Sequence, residues 1–266
     1  MELKRPSAKH RTVAARALGS VKAIAASERT GAADTLLGMA LTFIAGAINA
    51  GGILAVGQYT SHMSGILSSM ADNLALGSVA LVAAGLAAFL PFVAGAACSA
   101  ILINWGRRHR LGGRYALPLI LEACLLCVFG LLGWIAHPSP SFVAGAVPLL
   151  CFIMGLQNAT VTKISGARMR TTHVTGIVTD IGIELGKLFY WNRSRHLDGI
   201  VLADCEKLRL LLLLLGSFFL GGVTGAIGFS HLGFLFFLPF ALLLVLVAGP
   251  PLVDDVFDHA GHSHQS

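Results

Sequence analysis

Two histidines in one repeated setting are the residues best equipped for chemistry. The first lies in Thr60-Ser61-His62-Met63-Ser64-Gly65-Ile66, the second in Thr171-Thr172-His173-Val174-Thr175-Gly176-Ile177. Each copy follows a Gly-x-x-Asn-Ala: Gly46, Asn49 and Ala50 in one case, Gly155, Asn158 and Ala159 in the other. His62 stands 13 residues after Asn49, and His173 stands 15 after Asn158. A long motif met twice marks an internal repeat. Imidazole titrates near neutrality, so a pair of such groups suits proton exchange or the orientation of a polar solute. Hydroxyls and glycine around each His suit a helix N-terminus, where free N–H groups and the positive end of the helix dipole favour an anion or a solute oxygen.

The second copy carries more charge. On a helix, His173, Asp180, Glu184 and Lys187 fall within roughly 60° of one another, a polar stripe on an apolar segment. The first copy repeats that face with His62, Ser69 and Asn73, while Asp72 lies off it. The stripe has two readings: a proton path, or an i,i+3 and i,i+4 ion-pair network at an interfacial helix. The expected solute or ion pathway is Asn49, Ser61, His62, Gly65, Asn158, Thr172, His173, Gly176, Asp180 and Glu184. No phosphate loop, nucleophile elbow or zinc-protease motif is present, so no catalytic residue, metal or cofactor is expected, and no enzymatic activity.

The elements that must hold these residues are apolar. Of 266 residues 55% are hydrophobic and 12% charged, with a mean hydropathy of +0.77. Soluble domains carry about 25% charged residues. Long apolar runs are expected at about 35–56, 78–105, 115–135, 142–161, 208–229 and 232–247, and shorter motif segments at about 62–76 and 172–191. Each half thus reads long, motif, long, long. Phe92-x-x-Gly95 corresponds to Phe218-x-x-Gly221, and Gly221 with Gly225 allows close helix approach. The expected organisation is a basic tail (1–33), two membrane repeats (34–136 and 137–250), and an acidic, His-rich tail (251–266).

Charge decides topology. If six helices span and the motif segments are re-entrant or half-inserted, all 19 Lys and Arg residues fall on one side. If the motif segments also span, Arg107, Arg108, Arg110, Arg114, Lys163, Arg168 and Arg170 cross to the other. The six-span arrangement obeys the positive-inside rule, with both termini cytoplasmic. Three spans per half make the repeats inverted, an architecture of transporters and channels. The fold class expected is therefore an all-α integral membrane protein of two inverted three-helix repeats. The net charge of +6 belongs to cytoplasmic loops, and no nucleic-acid motif accompanies it. Cys124 and Cys127 read as packing residues rather than a redox pair. Glu122, a lone carboxylate in the fourth long run, is expected to snorkel to the cytoplasmic surface.

The Asn-Ala after the first apolar run, Ser61-His62-Met63-Ser64-Gly65, and Gly155-Leu156-Gln157-Asn158-Ala159-Thr160 followed by Thr171 to Gly176 resemble the YoaK-like family, an uncharacterised group of mainly bacterial membrane proteins. The resemblance covers roughly residues 35–248. It implies a multi-pass inner-membrane protein, typically drawn with six helices, and no settled activity. Ser64 and Ile66 depart from the Thr and Asn that it places after His-Met. Three functions remain: a small-solute or ion transporter or channel, with proton coupling as an option; a non-transporting scaffold or regulator; and a membrane enzyme on a lipid-borne substrate. The partners expected are membrane lipids, a small solute or ion, protons and a second copy of the chain, not nucleic acid.

Overall fold

Small residues recurring with phenylalanine at helical spacing set how the helices meet. The computed structural model describes residues 31–136, 139–165, 171–191 and 201–249, and among them there is no β-strand. The long helices are α1 (Gly31–Val56), α3 (Val79–Arg108), α4 (Ala116–Ala136), α5 (Pro140–Ile164) and α7 (Cys205–Leu232); the motif helices are α2 (Met63–Ala75) and α6 (Val174–Leu188). Two starts are fixed by side chains. Ser139 accepts from the Phe142 amide with Pro140 next to it, and Asp204 accepts from the Lys207 amide.

Five helical stretches are long and apolar enough to cross a membrane, the last running from Cys205 to Gly249. A straight helix of that length would be about 67 Å, over twice a bilayer's apolar thickness. It breaks at Gly233, whose φ of +57° favours glycine. A 3-10 turn (Gly233–Phe237) follows, then α8 over 238–249. The turn is held by phenylalanines: Phe129 meets Phe237 at 4.9 Å and Phe234 meets Phe142 and Phe229 at 5.2 Å between centroids.

The two largest helix interfaces are α1 with α7 and α3 with α5. Both are built the same way. A β-carbon on Gly155 would collide with the Phe92 carbonyl, and one on Gly95 with the Phe152 carbonyl. Likewise Gly221 abuts the Phe43 carbonyl and Gly46 the Phe218 carbonyl. The Phe-x-x-Gly pattern thus occurs on four helices, at Phe43, Phe92, Phe152 and Phe218, and each glycine receives the other helix's backbone. The first long helix of each half crosses the second long helix of the other half. Near one crossing Ser99 and Thr160, both buried, share a hydrogen bond of 2.8 Å.

A core of Leu37, Leu41, Ile44, Ile48, Leu126, Phe129, Leu150 and Met154 lies within. The outer faces are also apolar: Leu90, Ile101, Leu132, Leu212, Phe219, Leu220, Ile227 and Leu246 are exposed. Such a surface suits lipid rather than water. The expected segments thus appear within a few residues. The tails, 1–30 and 250–266, lie outside the described residues.

Candidate functional site

His62 and His173 are the N-caps of α2 and α6, with closely matched backbone angles (φ −88°, ψ 66° and φ −83°, ψ 51°). Neither side chain bonds its own helix as a cap. The motif's glycine explains the geometry: the His62 ring lies where a β-carbon on Gly65 would stand, and the His173 ring lies likewise over Gly176. His-x-x-Gly is thus a packing rule that folds each ring back over the first turn of its helix.

The asparagines hold the loops before the histidines. In the second copy the Asn158 carboxamide oxygen accepts from Thr171 Oγ1 (3.0 Å) and the Thr172 amide (3.2 Å). Its nitrogen donates to Thr172 Oγ1 (2.7 Å) and to the Met154 carbonyl (2.9 Å). In the first copy Ser61 Oγ donates to Asn49 Oδ1 at 2.8 Å. Thr60, buried like Thr171, leaves its hydroxyl without a partner. One clasp is saturated and the other is light.

The two motifs meet at a single cavity of about 1000 Å³. Asn49, Ser61, His62, Asn158, Thr172 and His173 line it, with Phe92, Gly155 and Phe218 from the helix crossings. Gly65 and Gly176 stand behind the imidazoles. Lys163, Tyr59, Thr162, Ser64 and Thr175 also line the cavity. These were not among the expected residues. Ser64 and Thr175 follow their histidines by two positions, and Thr162 and Lys163 lie a turn beyond Asn158, so proximity to the motif was the available signal. Among the described residues the lining includes one Lys, two His and no carboxylate.

Asp180 and Glu184 lie away from that wall, because the second motif's stripe turns toward the start of α7. Lys187 Nζ meets Glu184 Oε1 at 2.9 Å, and Lys207 Nζ lies 3.6 Å from Asp180 and 3.7 Å from Glu184. The other Glu184 oxygen accepts the Asp204 amide at 2.9 Å. That bond, then the one from Lys187, hold the Glu184 carboxyl below its usual range. His173 precedes the helix, so it does not share its face, and the geometry of Asp180 and Glu184 is that of the ion-pair network. In the first copy the Asn73 side chain bonds back to Ser69 in the same helix.

Glu122 departs from expectation. It is fully buried between helices rather than extended to the surface, since its position on α4 faces α5 and Gln157.

Several apolar helices, an apolar exterior and a polar cavity framed by a duplicated His loop define a helical membrane protein. The model of the family described as "Protein of unknown function (DUF1275)" matches residues 37–249, and the chain belongs to that family. This agrees with the YoaK-like, uncharacterised family that the motifs resemble. No curated protein matches, and no solved structure matches.

Proposed function

We propose that the protein is a small-solute transporter or channel of a bacterial inner membrane, with both termini cytoplasmic and its site at the interface of two inverted repeats. The observation that carries this reading is one cavity bounded by both motif copies, each with its imidazole on a glycine and its loop on an asparagine. The crossing of each half's first long helix with the other half's second long helix supports the inverted repeats. In this arrangement α2 and α6 enter the membrane from opposite sides and meet the cavity at their N-termini, and the 3-10 turn with α8 forms the sixth span. Irregular backbone at that depth is tolerable when it borders a watery cavity.

The lining also bears on the solute. Among the described residues, one lysine, two imidazoles, hydroxyls and carboxamides with no carboxylate suit a neutral polar or anionic solute better than a free cation. The histidines are placed to exchange protons with it or beside it.

The test is access. Cys98, Cys124, Cys127, Cys151 and Cys205 are replaced, and single cysteines are placed at Ser64 or Thr175, which line the cavity outside the asparagine clasps. Membrane-impermeant thiol reagents applied from each side should reach both positions, with the accessible side changing with pH or added solute. Two sealed cysteines in a folded protein would refute the pathway. Replacing both His62 and His173 should abolish flux and leave folding intact.

A further inference from the structure

Behind the cavity wall lies a second polar site. Glu122 of α4 and Gln157 of α5 face one another, and both are 0% exposed. All four of their side-chain heteroatoms, Oε1 and Oε2 of Glu122 and Oε1 and Nε2 of Gln157, are buried without a hydrogen bond. An ionised carboxylate in such a place would require a cation or several donors. Neither is present.

The surroundings can be named. On α4 the titratable groups are Cys124 and Cys127, with Arg114 and Tyr115 just before it. On α5 they are Lys163, at the cavity, and Cys151. On α3 they are Cys98, Arg107 and Arg108. The 3-10 turn and α8 bring none. The Arg114 guanidinium lies over the Tyr115 ring, 5.0 Å from its centre. Among the described residues no Lys, Arg or His comes within ion-pair distance of Glu122, and Gln157 is the polar side chain that faces it. The simplest occupant that satisfies both side chains is a hydrogen on the carboxyl. That hydrogen can be donated to the carboxamide oxygen, while the carboxamide N–H is donated to the carboxyl C=O.

We propose that Glu122 and Gln157 form a buried proton-binding site, in which a neutral Glu122 carboxyl is paired reciprocally with the Gln157 carboxamide. Gln157 adjoins Asn158 in the sequence, on another face of α5. Loss of the proton leaves a charge beside the helix that holds the second motif, so proton occupancy is mechanically linked to the His173 loop through α5. The site has no copy in the first half. By the 109-residue spacing of Asn49 and Asn158, Gln157 corresponds to Ile48. Proton binding here does not depend on the transport reading, and its test needs no solute.

The test has two arms on the full chain in lipid. A membrane-soluble carbodiimide adds a protonated carboxyl across its C=N bond and leaves a stable N-acylurea. Peptide mass spectrometry should find this adduct on Glu122 near neutral pH and not in Glu122→Gln. Its initial rate should fall about tenfold per pH unit beyond a midpoint as the proton is lost. In Gln157→Leu, which lacks the amide N–H that would steady the anion, labelling should persist to higher pH. The second arm is melting temperature against pH: a carboxyl neutral in the fold but free to ionise once unfolded loses stability from about pH 4.3 upward until the folded group also ionises, so Glu122→Gln should match wild type in mild acid and lose the wild type's decline as pH rises. That arm decides the matter if the reagent fails to reach the site. An adduct that ignores pH overturns the proposal. So does a Glu122→Gln variant with the wild-type melting profile, or one as unstable at neutral pH as Glu122→Ala. Protection by sodium at fixed pH also overturns it, since the site would then hold a metal cation.

Discussion

Removing each asparagine in turn measures the unequal clasps. Asn158→Ala deletes three bonds to the Thr171–Thr172 loop, whereas Asn49→Ala deletes one to Ser61. Side-chain hydrogen bonds inside membrane proteins average about 0.6 kcal/mol, with a maximum near 1.7. On that scale Asn158→Ala costs roughly 2 kcal/mol and Asn49→Ala about 0.6. Each variant deletes the same atoms from a half-buried position on a first long helix, so the packing terms largely cancel in the difference. What remains is about 1.2 kcal/mol, or roughly eightfold in the unfolding equilibrium. The Thr171 hydroxyl, fully buried and stripped of its acceptor, widens the gap. Equilibrium unfolding in mixed detergent micelles, read by circular dichroism, resolves a difference of this size. An Asn49→Ala variant as unstable as Asn158→Ala, or more so, would refute the unequal-clasp account.

Other expectations are tested in the same way. Thr60→Val removes an unpartnered buried hydroxyl and should be neutral or stabilising by up to about 1 kcal/mol, whereas Thr171→Val should cost about 1 kcal/mol; the same unfolding assay compares them. Gly155→Ala or Gly221→Ala drives a β-carbon into a facing carbonyl and should lower stability by roughly 3 kcal/mol or prevent assembly. Gly182→Ala and Gly216→Ala meet open space within helices and should be neutral or stabilising by about 0.5–1 kcal/mol. Glu184 contributes stability that is present above its unfolded value of about 4.3 and is lost as pH falls through its lower folded value. Melting of wild type should therefore drop in acid, and Glu184→Gln should start lower and drop less. Gly176→Ala displaces the His173 ring and should impair flux far more than it lowers the melting temperature.

Much of this architecture was legible because it rests on periodicity. Apolar runs and the duplicated motif depend on residue type and order alone. The recurrence of Phe-x-x-Gly on four helices was legible too, although matching only Phe92 with Phe218 left the crossings unseen. What stayed hidden depended on rotation about helix axes. The 100° rule placed Asp180 and Glu184 together, yet nothing in order or spacing says that this face meets Lys207 instead of the cavity. His173 misled for a related reason: it sits before the helix, where the 3.6-residue period does not apply. Glu122 was read from its distance to a helix end, whereas its burial is fixed by the direction of α4 relative to α5.

The halves are alike where they meet the cavity and differ behind it. Asn, Ser or Thr, His and Gly recur on both sides of it, and so do the glycine crossings. Away from it the correspondence lapses. By the same spacings the Ser99–Thr160 bond of one crossing is replaced at the other by Gly225 and Gly51, and Glu184 with its lysines corresponds to the lone Asn73. If the protein is the transporter of inverted repeats proposed above, a rocking exchange asks for this division. A solute held between two like walls meets similar contacts in either orientation, so the walls are bound to stay similar. The surrounding contacts set the energies of the two orientations, and these need not be equal. The light clasp at Asn49 and the saturated one at Asn158 make the first motif loop the easier to move. If the repeats do rock, removing a loop bond on the saturated side by Thr171→Val, outside the cavity lining, should speed exchange without changing solute preference. A variant that changed preference and left the rate untouched would argue that the clasps belong to the binding surface and not to the movement.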